Sequence, residues 1–234
     1  NYENENKCVL VLLEFLHHKD RIEQKETFKA ALIEALPDIV NSGDQFKICA
    51  FGLKQTDTNI LIDINNNFTD DIDLLIDSLN NFNTTPDPFN EKNVSDFYSA
   101  ILDGVDLLKD FDSDFTKTIF LLSEERQNIE STQQDSYNPT ELAKKHNVII
   151  NTIKYNRSKY HQRDDKTLAL LTFGESLTLS KSEGNLLEPN IQKQEETKNF
   201  LINVLNGVVK RAHGHNYLLT TTLTDSIQDG KERC

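Results

Sequence analysis

The chain has 234 residues and a formal net charge of −13 at pH 7, with 27% charged and 37% hydrophobic residues. This length suits one domain, or a large domain with a tail, that buries a sizeable core. The negative charge argues against a general role in nucleic-acid binding, which requires a basic face for the phosphates. No run of 18 apolar residues occurs, so the sequence predicts no membrane span.

The first predicted element is Cys8–Phe15, CVLVLLEF, an apolar run that carries one carboxylate, Glu14, near its end. A run of this kind, too short for a bilayer, indicates a strand that is buried on both faces. The central strand of a parallel sheet has this pattern, because helices cover both of its sides. An acid at its C-terminal end would lie in the crevice where open α/β sheets bind ligands.

The next part of the chain predicts one helix and two strands. Arg21–Val40 carries apolar residues at a nearly helical spacing, and Pro37 with the following NSGD should end that helix. Gln45–Leu53 is the second predicted strand. Asn59–Ile64 alternates apolar and polar residues, which is typical of a half-exposed edge strand. The link between these two strands is short enough for a hairpin, so the edge strand is expected to be antiparallel.

Two amphipathic helices follow. The first is predicted over Asp70–Asn80 with Thr69 as its N-cap, and acids in its first turn favour the positive end of the helix dipole. The second begins at Ser95 or Asp96 and continues through Leu108, with its apolar residues on one face.

Strands and helices continue to alternate in the second half. Strands are predicted at Lys117–Ser123, Val148–Tyr155 and Ser176–Ser180, and helices at Pro139–His146, Asp164–Thr172 and Glu195–Ala212. This alternation predicts an α/β fold with a doubly wound, mostly parallel sheet, one antiparallel edge strand and helices on both faces. The predicted domain covers residues 1–215, and residues 216–234 form a C-terminal extension or tail.

The three cysteines leave the disulfide state open. Cys49 lies inside the second predicted strand and is most simply a buried free thiol. Cys8 and Cys234 could form a disulfide that joins the two ends of a domain, or Cys234 could belong to a following module.

The start of the chain and its glycosylation sequons give little information about the compartment. The N-terminal NYENENK has neither an initiator Met nor a signal-like apolar region, so we interpret the chain as a mature or excised fragment. Four sequons occur, about as many as chance predicts for this composition, at Asn67, Asn83, Asn93 and Asn156.

The order of elements resembles the von Willebrand factor A domain, also called the integrin inserted-domain fold. Four local patterns carry the resemblance, which covers about Lys7 to Ala212: VLVLLEF, QFKICAFGL, IFLLSEE and TLALLTFGESLTL. The last is similar to the family's short helix, glycine turn and strand. The resemblance implies a von Willebrand A-like fold.

The family has a metal-ion-dependent adhesion site (MIDAS) at the C-terminal edge of its sheet. It uses Asp-x-Ser-x-Ser after the first strand, a Thr before a later helix and an Asp after the next long strand. Here Glu14, Ser95 and Glu124 match the first Asp, the Thr and the last Asp, while the two Ser positions hold Leu16 and His18. Leu16 cannot coordinate Mg²⁺, and His18 offers nitrogen, which suits transition metals better. The resemblance therefore implies a degenerate site that is not expected to function.

The resemblance also implies a non-catalytic module that binds another protein, in adhesion or in assembly. The expected contact surface consists of loops at the C-terminal edge of the sheet and includes His17, His18, Asn93, Asp96, Glu125 and Arg126. No cofactor is expected, and Mg²⁺ or Ca²⁺ is the alternative. The expected location is extracellular or at the cell surface, with an intracellular location as the alternative.

Three rival functions remain open. The first is a metal-dependent adhesion domain that tolerates Glu in place of Asp, and the second is an intracellular scaffold of a multiprotein complex. The third rival is an α/β hydrolase or nucleotide enzyme, but the sequence has no phosphate loop, nucleophile elbow or G-x-G-x-x-G. An enzyme is therefore not expected.

A zinc site formed by His17 and His18 with the two glutamates is also disfavoured, because adjacent His side chains rarely face one ion.

Overall fold

The structure is a computed structural model, and it describes residues 6–14, 22–52, 61–82, 97–124, 139–155, 165–179 and 190–206. The strands are β1 (Lys7–Glu14), β2 (Gln45–Phe51), β3 (Ile62–Asp63), β4 (Thr116–Glu124), β5 (Val148–Tyr155) and β6 (Ser176–Leu179). The helices are α1 (Ile22–Ile39), α2 (Ile72–Asn81), α3 (Phe97–Lys109), α4 (Pro139–Lys145), α5 (Asp165–Leu171) and α6 (residues 191–206).

Within the described residues, the strands form one six-stranded sheet in the order β3-β2-β1-β4-β5-β6. β1 pairs in parallel with both β2 and β4, and β4, β5 and β6 continue the parallel pairing. Only β3 is antiparallel, with Ile62 opposite Ala50. The predicted α/β fold with a mostly parallel sheet and one antiparallel edge strand is therefore confirmed.

The core lies in two layers, one on each face of the sheet, and β1 contributes to both. Val9, Val11 and Leu13 pack into the layer that includes α1, α2 and α6. Leu10 and Leu12 pack into the layer that includes α3 and α4. Each side chain of this size contributes about 1.5–3 kcal/mol when it is fully buried. The apolar run of β1 is therefore explained by burial on both faces.

The N-cap of α2 is not the predicted one. Asp71 caps the helix, because its side chain accepts a hydrogen bond of 3.0 Å from the Leu74 amide. Thr69 instead pairs through its backbone with Phe46 of β2, and its hydroxyl accepts from the Asp71 amide. Thr69 is thus held as an extended partner of the sheet, and the helix begins two residues later.

The predicted end of the first helix agrees with the structure within one residue, since α1 ends at Ile39. Pro37 lies in its last turn, where its missing N–H removes only one helical hydrogen bond. The last helix begins at residue 191 rather than at Glu195, because the Asn190 side chain accepts from the Lys193 amide at 3.1 Å and caps it there.

The short edge strand β3 is extended by one backbone hydrogen bond, from the Ile64 amide to the carbonyl oxygen of Ile48 at 2.9 Å, and then by a side chain. The Asn65 side-chain oxygen accepts from the Ile48 amide at 2.7 Å, and its amide group donates to the carbonyl oxygen of Asn67 at 2.7 Å. Asn65 is buried. Through its side chain, Asn65 therefore supplies the Ile48 amide of β2 with an acceptor that the backbone of the two-residue strand does not provide.

Asn65→Ala is expected to lower the free energy of unfolding by about 1–3 kcal/mol, because the buried Ile48 amide would lose its acceptor. Urea unfolding followed by circular dichroism measures this change. Asn66→Ala is the control, because Asn66 is exposed and its hydrogen bond with Lys47 is made by its backbone carbonyl oxygen, which the substitution keeps. Equal losses in the two variants would contradict this role of Asn65.

The described residues end at residue 206, so the predicted domain limit at residues 215 and 216 stays a prediction. The predicted C-terminal part of the last helix and the tail lie outside them. Among the described helices, none is long and apolar enough to cross a membrane.

Candidate functional site at the C-terminal edge of the sheet

The strand order creates a switch point between β1 and β4. From β1 the chain passes through α1 to β2 on one side, whereas β4 lies on the other side of β1. In open α/β sheets, ligands bind beyond the carboxyl ends of the strands at such a point. The candidate site is therefore the edge where β1 and β4 end.

Glu14 is the last residue of β1, and its side chain is 2% exposed. It pairs with Phe51 of β2, and it shares the strand face of Leu10 and Leu12, which pack into the layer of α3. A charged carboxylate in such a place is costly unless other groups compensate it. Its position at the end of β1, beside the switch point, makes Glu14 a candidate for a functional charge at this edge.

The register places Ser123 beside Glu14. The paired residues before them are Leu13 and Leu122, so the next residue of each strand is Glu14 in β1 and Ser123 in β4. Ser123 is completely buried and shares a strand face with Leu121, which packs in the same layer as Leu12. No sequence motif predicted a role for this hydroxyl. Its position before two glutamates in a strand parallel to β1 is the signal that could have found it.

Glu124 ends β4 one residue further along. Its backbone therefore lies at the same edge as Glu14, as the sequence predicted. The amino end of α3 defines a further wall of this edge, because Phe97, its first residue, is 3% exposed in the layer that also holds Leu12.

Most other predicted site residues lie outside the described residues: His17, His18, Asn93, Ser95, Asp96, Glu125, Arg126 and Cys234. The set of Glu14, Ser95 and Glu124 therefore stays a prediction. Within the described residues, no group of three or more His, Cys, Asp or Glu side chains is placed to hold a metal ion.

A scan against protein-family models finds no match for this sequence, and a search of curated proteins finds no relative. Solved structures do match. The SpRpn10 VWA domain superposes with a TM-score of 0.52 over 78% of this chain and 92% of its own, at 15% identity. The chain has a von Willebrand factor A-like fold.

Two longer proteins contain a unit like this A-like domain. Proximal thread matrix protein 1 from the mussel byssus matches with a TM-score of 0.59 over 87% of this chain, at 13% identity. The pilus adhesin SpaC from Lactobacillus rhamnosus GG matches with a TM-score of 0.59 over 88%, at 8% identity. The matches span 47% of the mussel protein and 30% of the adhesin. Another structure of the mussel protein has a zinc-occupied MIDAS motif.

Cys8 of the A-like domain is a completely buried free thiol in the layer of α3. Burial raises the pKa of this thiol to about 12, although the charge of nearby Lys117 acts in the opposite direction. Burial likewise raises the pKa of Cys49, as does the carboxylate of Asp63, which accepts its hydrogen bond. Both thiols should therefore stay protonated and unreactive at neutral pH. Cys234 lies outside the described residues, so its disulfide with Cys8 stays a prediction.

A thiol count with Ellman's reagent tests that disulfide. In the native protein at pH 8, Cys8 should not react, because a rise in pKa from 9.0 to about 12 lowers its thiolate fraction about a thousandfold. After unfolding without reductant, we expect three reactive thiols, because Cys8 is enclosed between the sheet and α3. One reactive thiol would instead show one disulfide, and peptide mapping that joined Cys8 to Cys234 would favour an oxidising compartment.

Proposed function

We propose that this A-like domain is a non-catalytic protein-binding module, used in adhesion or assembly, whose contact surface lies at the C-terminal edge of the sheet. The arrangement of β1, β4 and α3 at the switch point supports this proposal. His17 and His18 follow β1, Glu125 and Arg126 follow β4, and Asn93 and Asp96 precede α3. These residues follow or precede elements that end at one edge of the sheet, and this placement supports a single contact surface.

This proposed module works without a Mg²⁺ site of the family type. Leu16 and His18 remove two of the five oxygen ligands of that site, and Glu14 and Glu124 are each one carbon longer than Asp. Mg²⁺ requires near-ideal octahedral oxygen geometry at about 2.0–2.1 Å, so it tolerates such changes poorly.

A metal-dependent adhesion domain is the second candidate. Acids at two of the family's ligand positions favour it, because Glu14 and Glu124 end neighbouring strands at this edge. The zinc-occupied MIDAS of the mussel protein adds Zn²⁺ to the ions that should be tested, since His18 offers a nitrogen ligand.

Calorimetric titration of the EDTA-stripped protein with Mg²⁺, Mn²⁺, Ca²⁺ and Zn²⁺ separates the two candidates. Without a functional site, we expect no saturable heat for any of these ions. The matched variant is Glu14→Gln with Glu124→Gln, which keeps the shape of both side chains and removes both charges. Saturable binding that this variant loses would overturn the metal-free proposal and establish the second candidate.

The contact surface can be tested by comparing three immobilised forms of the domain in quantitative affinity enrichment. Arg126→Glu with His17→Ala alters the loops, and Lys144→Glu on the exposed part of α4 is the control for a change of charge. We expect the loop variant to retain a specific partner at least about tenfold less than the wild type and the control do. Equal retention by all three forms would contradict the proposed surface.

An extracellular or cell-surface location is part of this proposal, with an intracellular scaffold as the alternative. The Asn67 sequon supports it, because Asn67 is exposed and therefore accessible to glycosylation. Asn83, Asn93 and Asn156 lie outside the described residues. The thiol count described above also bears on the choice of compartment.

A further inference from the structure

A second concave site lies at the edge of the sheet opposite to Glu14. It is a cavity of about 330 Å³ between the C-terminal end of α3, residues 110–115, the start of β4 and the turn after α4. Lys109, Lys117, Lys145 and His146 line it, together with the rings of Phe111 and Phe115. Its volume falls at the lower end of the range for small-molecule sites, about 300–1,000 Å³.

The charge of this cavity is opposite to that of the whole chain. No carboxylate lines it, although the net charge is −13. Asp106 pairs with Lys109 at 3.1 Å, and the nearby acids Asp110, Asp112 and Asp114 are all exposed. Lys145 is exposed as well, so its charge is screened by water and salt like those of the three acids, whereas the enclosed charge of Lys117 is screened much less. An anion inside the cavity would therefore interact mainly with the basic groups that line it.

Lys117 is the feature that general surface charge does not explain. It is 8% exposed, and its ammonium group donates to the carbonyl oxygen of Lys109 at 3.1 Å. Within the described part of the chain, no carboxylate lies within ion-pair distance of it. An enclosed charge without a counter-charge is costly, and a bound anion would supply one.

The helix dipoles account for only part of the cluster. Lys109 and Lys145 lie in the last turns of α3 and α4, where cations stabilise a helix end. Lys117 comes from a strand, and His146 follows α4 in a turn that closes at Asn147, with a positive φ of 55°. Three separate elements therefore bring basic groups to one cavity.

The apolar wall of the cavity is held by aromatic packing. The Phe111 ring lies edge-to-face with the rings of Phe68, at 4.8 Å between centroids, and of Phe115, at 5.8 Å. Phe111 and Phe115 are only partly buried, so part of each ring faces the cavity. The site thus combines several positive charges with a fixed apolar surface.

We propose that this cavity binds a phosphate monoester. The phosphate group lies between the ammonium groups of Lys117 and Lys145, and the organic part contacts Phe111 and Phe115. Lysine binds phosphate as a point charge, and a dianion gains more from several lysines than a single carboxylate does. This site is separate from the proposed protein-binding edge and does not depend on it.

Titration calorimetry at low ionic strength tests the proposal with phenyl phosphate and inorganic phosphate as probes. We expect saturable 1:1 binding of phenyl phosphate, and weaker binding of inorganic phosphate because it cannot contact the rings. Lys145→Glu should weaken phenyl phosphate binding at least about tenfold, since one charged contact is lost and a repulsive one is added.

Lys144→Glu is the matched control, because it makes the same change of charge one residue away. Lys144 is exposed, pairs with Glu141 at 3.3 Å and does not line the cavity. We expect it to weaken binding less than about threefold. The absence of saturable phenyl phosphate binding, or equal weakening by the two variants, would overturn the proposal. Binding that survives in the Glu14→Gln, Glu124→Gln variant would support a site independent of the other edge.

Discussion

Gly174→Ala is expected to destabilise the fold by at least about 4 kcal/mol, because the residue lies against the backbone of β5. A Cβ atom at Gly174 would lie 1.9 Å from the carbonyl oxygen of Ile150 and 2.6 Å from its carbonyl carbon. Both contacts are with backbone, so no side-chain rotation relieves them. Strand β5 or the turn before β6 would have to move.

The hydrogen bonds around Gly174 make such a movement costly. The Gly174 amide donates to the carbonyl oxygen of Ala169 at 2.8 Å, which ends α5. The Thr172 hydroxyl accepts from the Ile150 amide at 3.1 Å, and the buried Asn151 side chain accepts from the Glu175 amide at 2.9 Å. Movement of the turn would break these bonds to buried backbone groups, at about 1–3 kcal/mol each.

Thermal unfolding followed by circular dichroism measures this effect. A loss of 4 kcal/mol corresponds to a fall in Tm of at least about 8 °C for a chain of this size. Gly104→Ala is the control, because its Cβ would meet only the ends of side chains, the nearest being Leu10 Cδ2 at 3.0 Å. The buried side chains of Leu10, Leu12 and Ile119 would each have to shift by a few tenths of an ångström. Since alanine favours the helix by about 0.8–1.0 kcal/mol, Gly104→Ala should lower Tm much less than Gly174→Ala. A Gly174→Ala protein as stable as the wild type would contradict the close approach.

The sequence predicted well those elements whose burial follows from a local pattern of apolar residues. β1 is a continuous apolar run that is buried on both faces, and α3 buries its predicted stripe of Phe97, Ile101, Val105 and Leu108. Such patterns depend only on which side of an element faces the core. The mostly parallel sheet and the antiparallel β3 follow from the alternation of elements and from one short link.

The details that the sequence could not predict depend on contacts between distant residues. Thr69 is a plausible N-cap by its residue type, but its backbone is hydrogen-bonded to Phe46 of β2, so Asp71 caps α2 instead. Ser123 becomes relevant only when the register places it beside Glu14. Lys117 and Lys145 are 28 residues apart in the chain and share a cavity only because β4 and β5 are neighbours. The spacing of residues along the chain does not predict these contacts between distant residues.

Asp44→Ala is expected to lower the free energy of unfolding by about 3–5 kcal/mol, because it breaks a buried ion pair and leaves one charge alone. The Asp44 carboxylate lies 3.1 Å from the ammonium group of Lys7, and both side chains are almost fully enclosed. It also accepts from the Lys7 amide at 2.8 Å and from the Asn41 amide at 2.9 Å. One carboxylate therefore joins the start of β1 to the turn between α1 and β2.

Asp63→Ala gives a matched control, since it removes an aspartate from another lysine of the same sheet. The Lys47–Asp63 distance is 3.0 Å, but the Asp63 side chain is 45% exposed, so water can replace the carboxylate. Lys47 also keeps its hydrogen bond to the carbonyl oxygen of Asn66. Lys47 is almost as enclosed as Lys7, with 9% of its side chain exposed, and Cys49 also loses its acceptor. We therefore expect a loss of about 1–2 kcal/mol, smaller than that of Asp44→Ala.

Urea unfolding of the two variants separates the effect of burial from the effect of pairing. Because the Nζ–Oδ distances are nearly equal, a large difference between the variants must come from the burial of the Asp44 carboxylate and from the two backbone amides that lose their acceptor. Adding Lys7→Met to Asp44→Ala should then recover part of the loss, since it removes the unpaired Lys7 charge. The Lys7 and Asn41 amides would still lack their acceptor, so recovery should be incomplete. Equal losses in Asp44→Ala and Asp63→Ala would show that this pair does not hold β1 to its neighbouring turn.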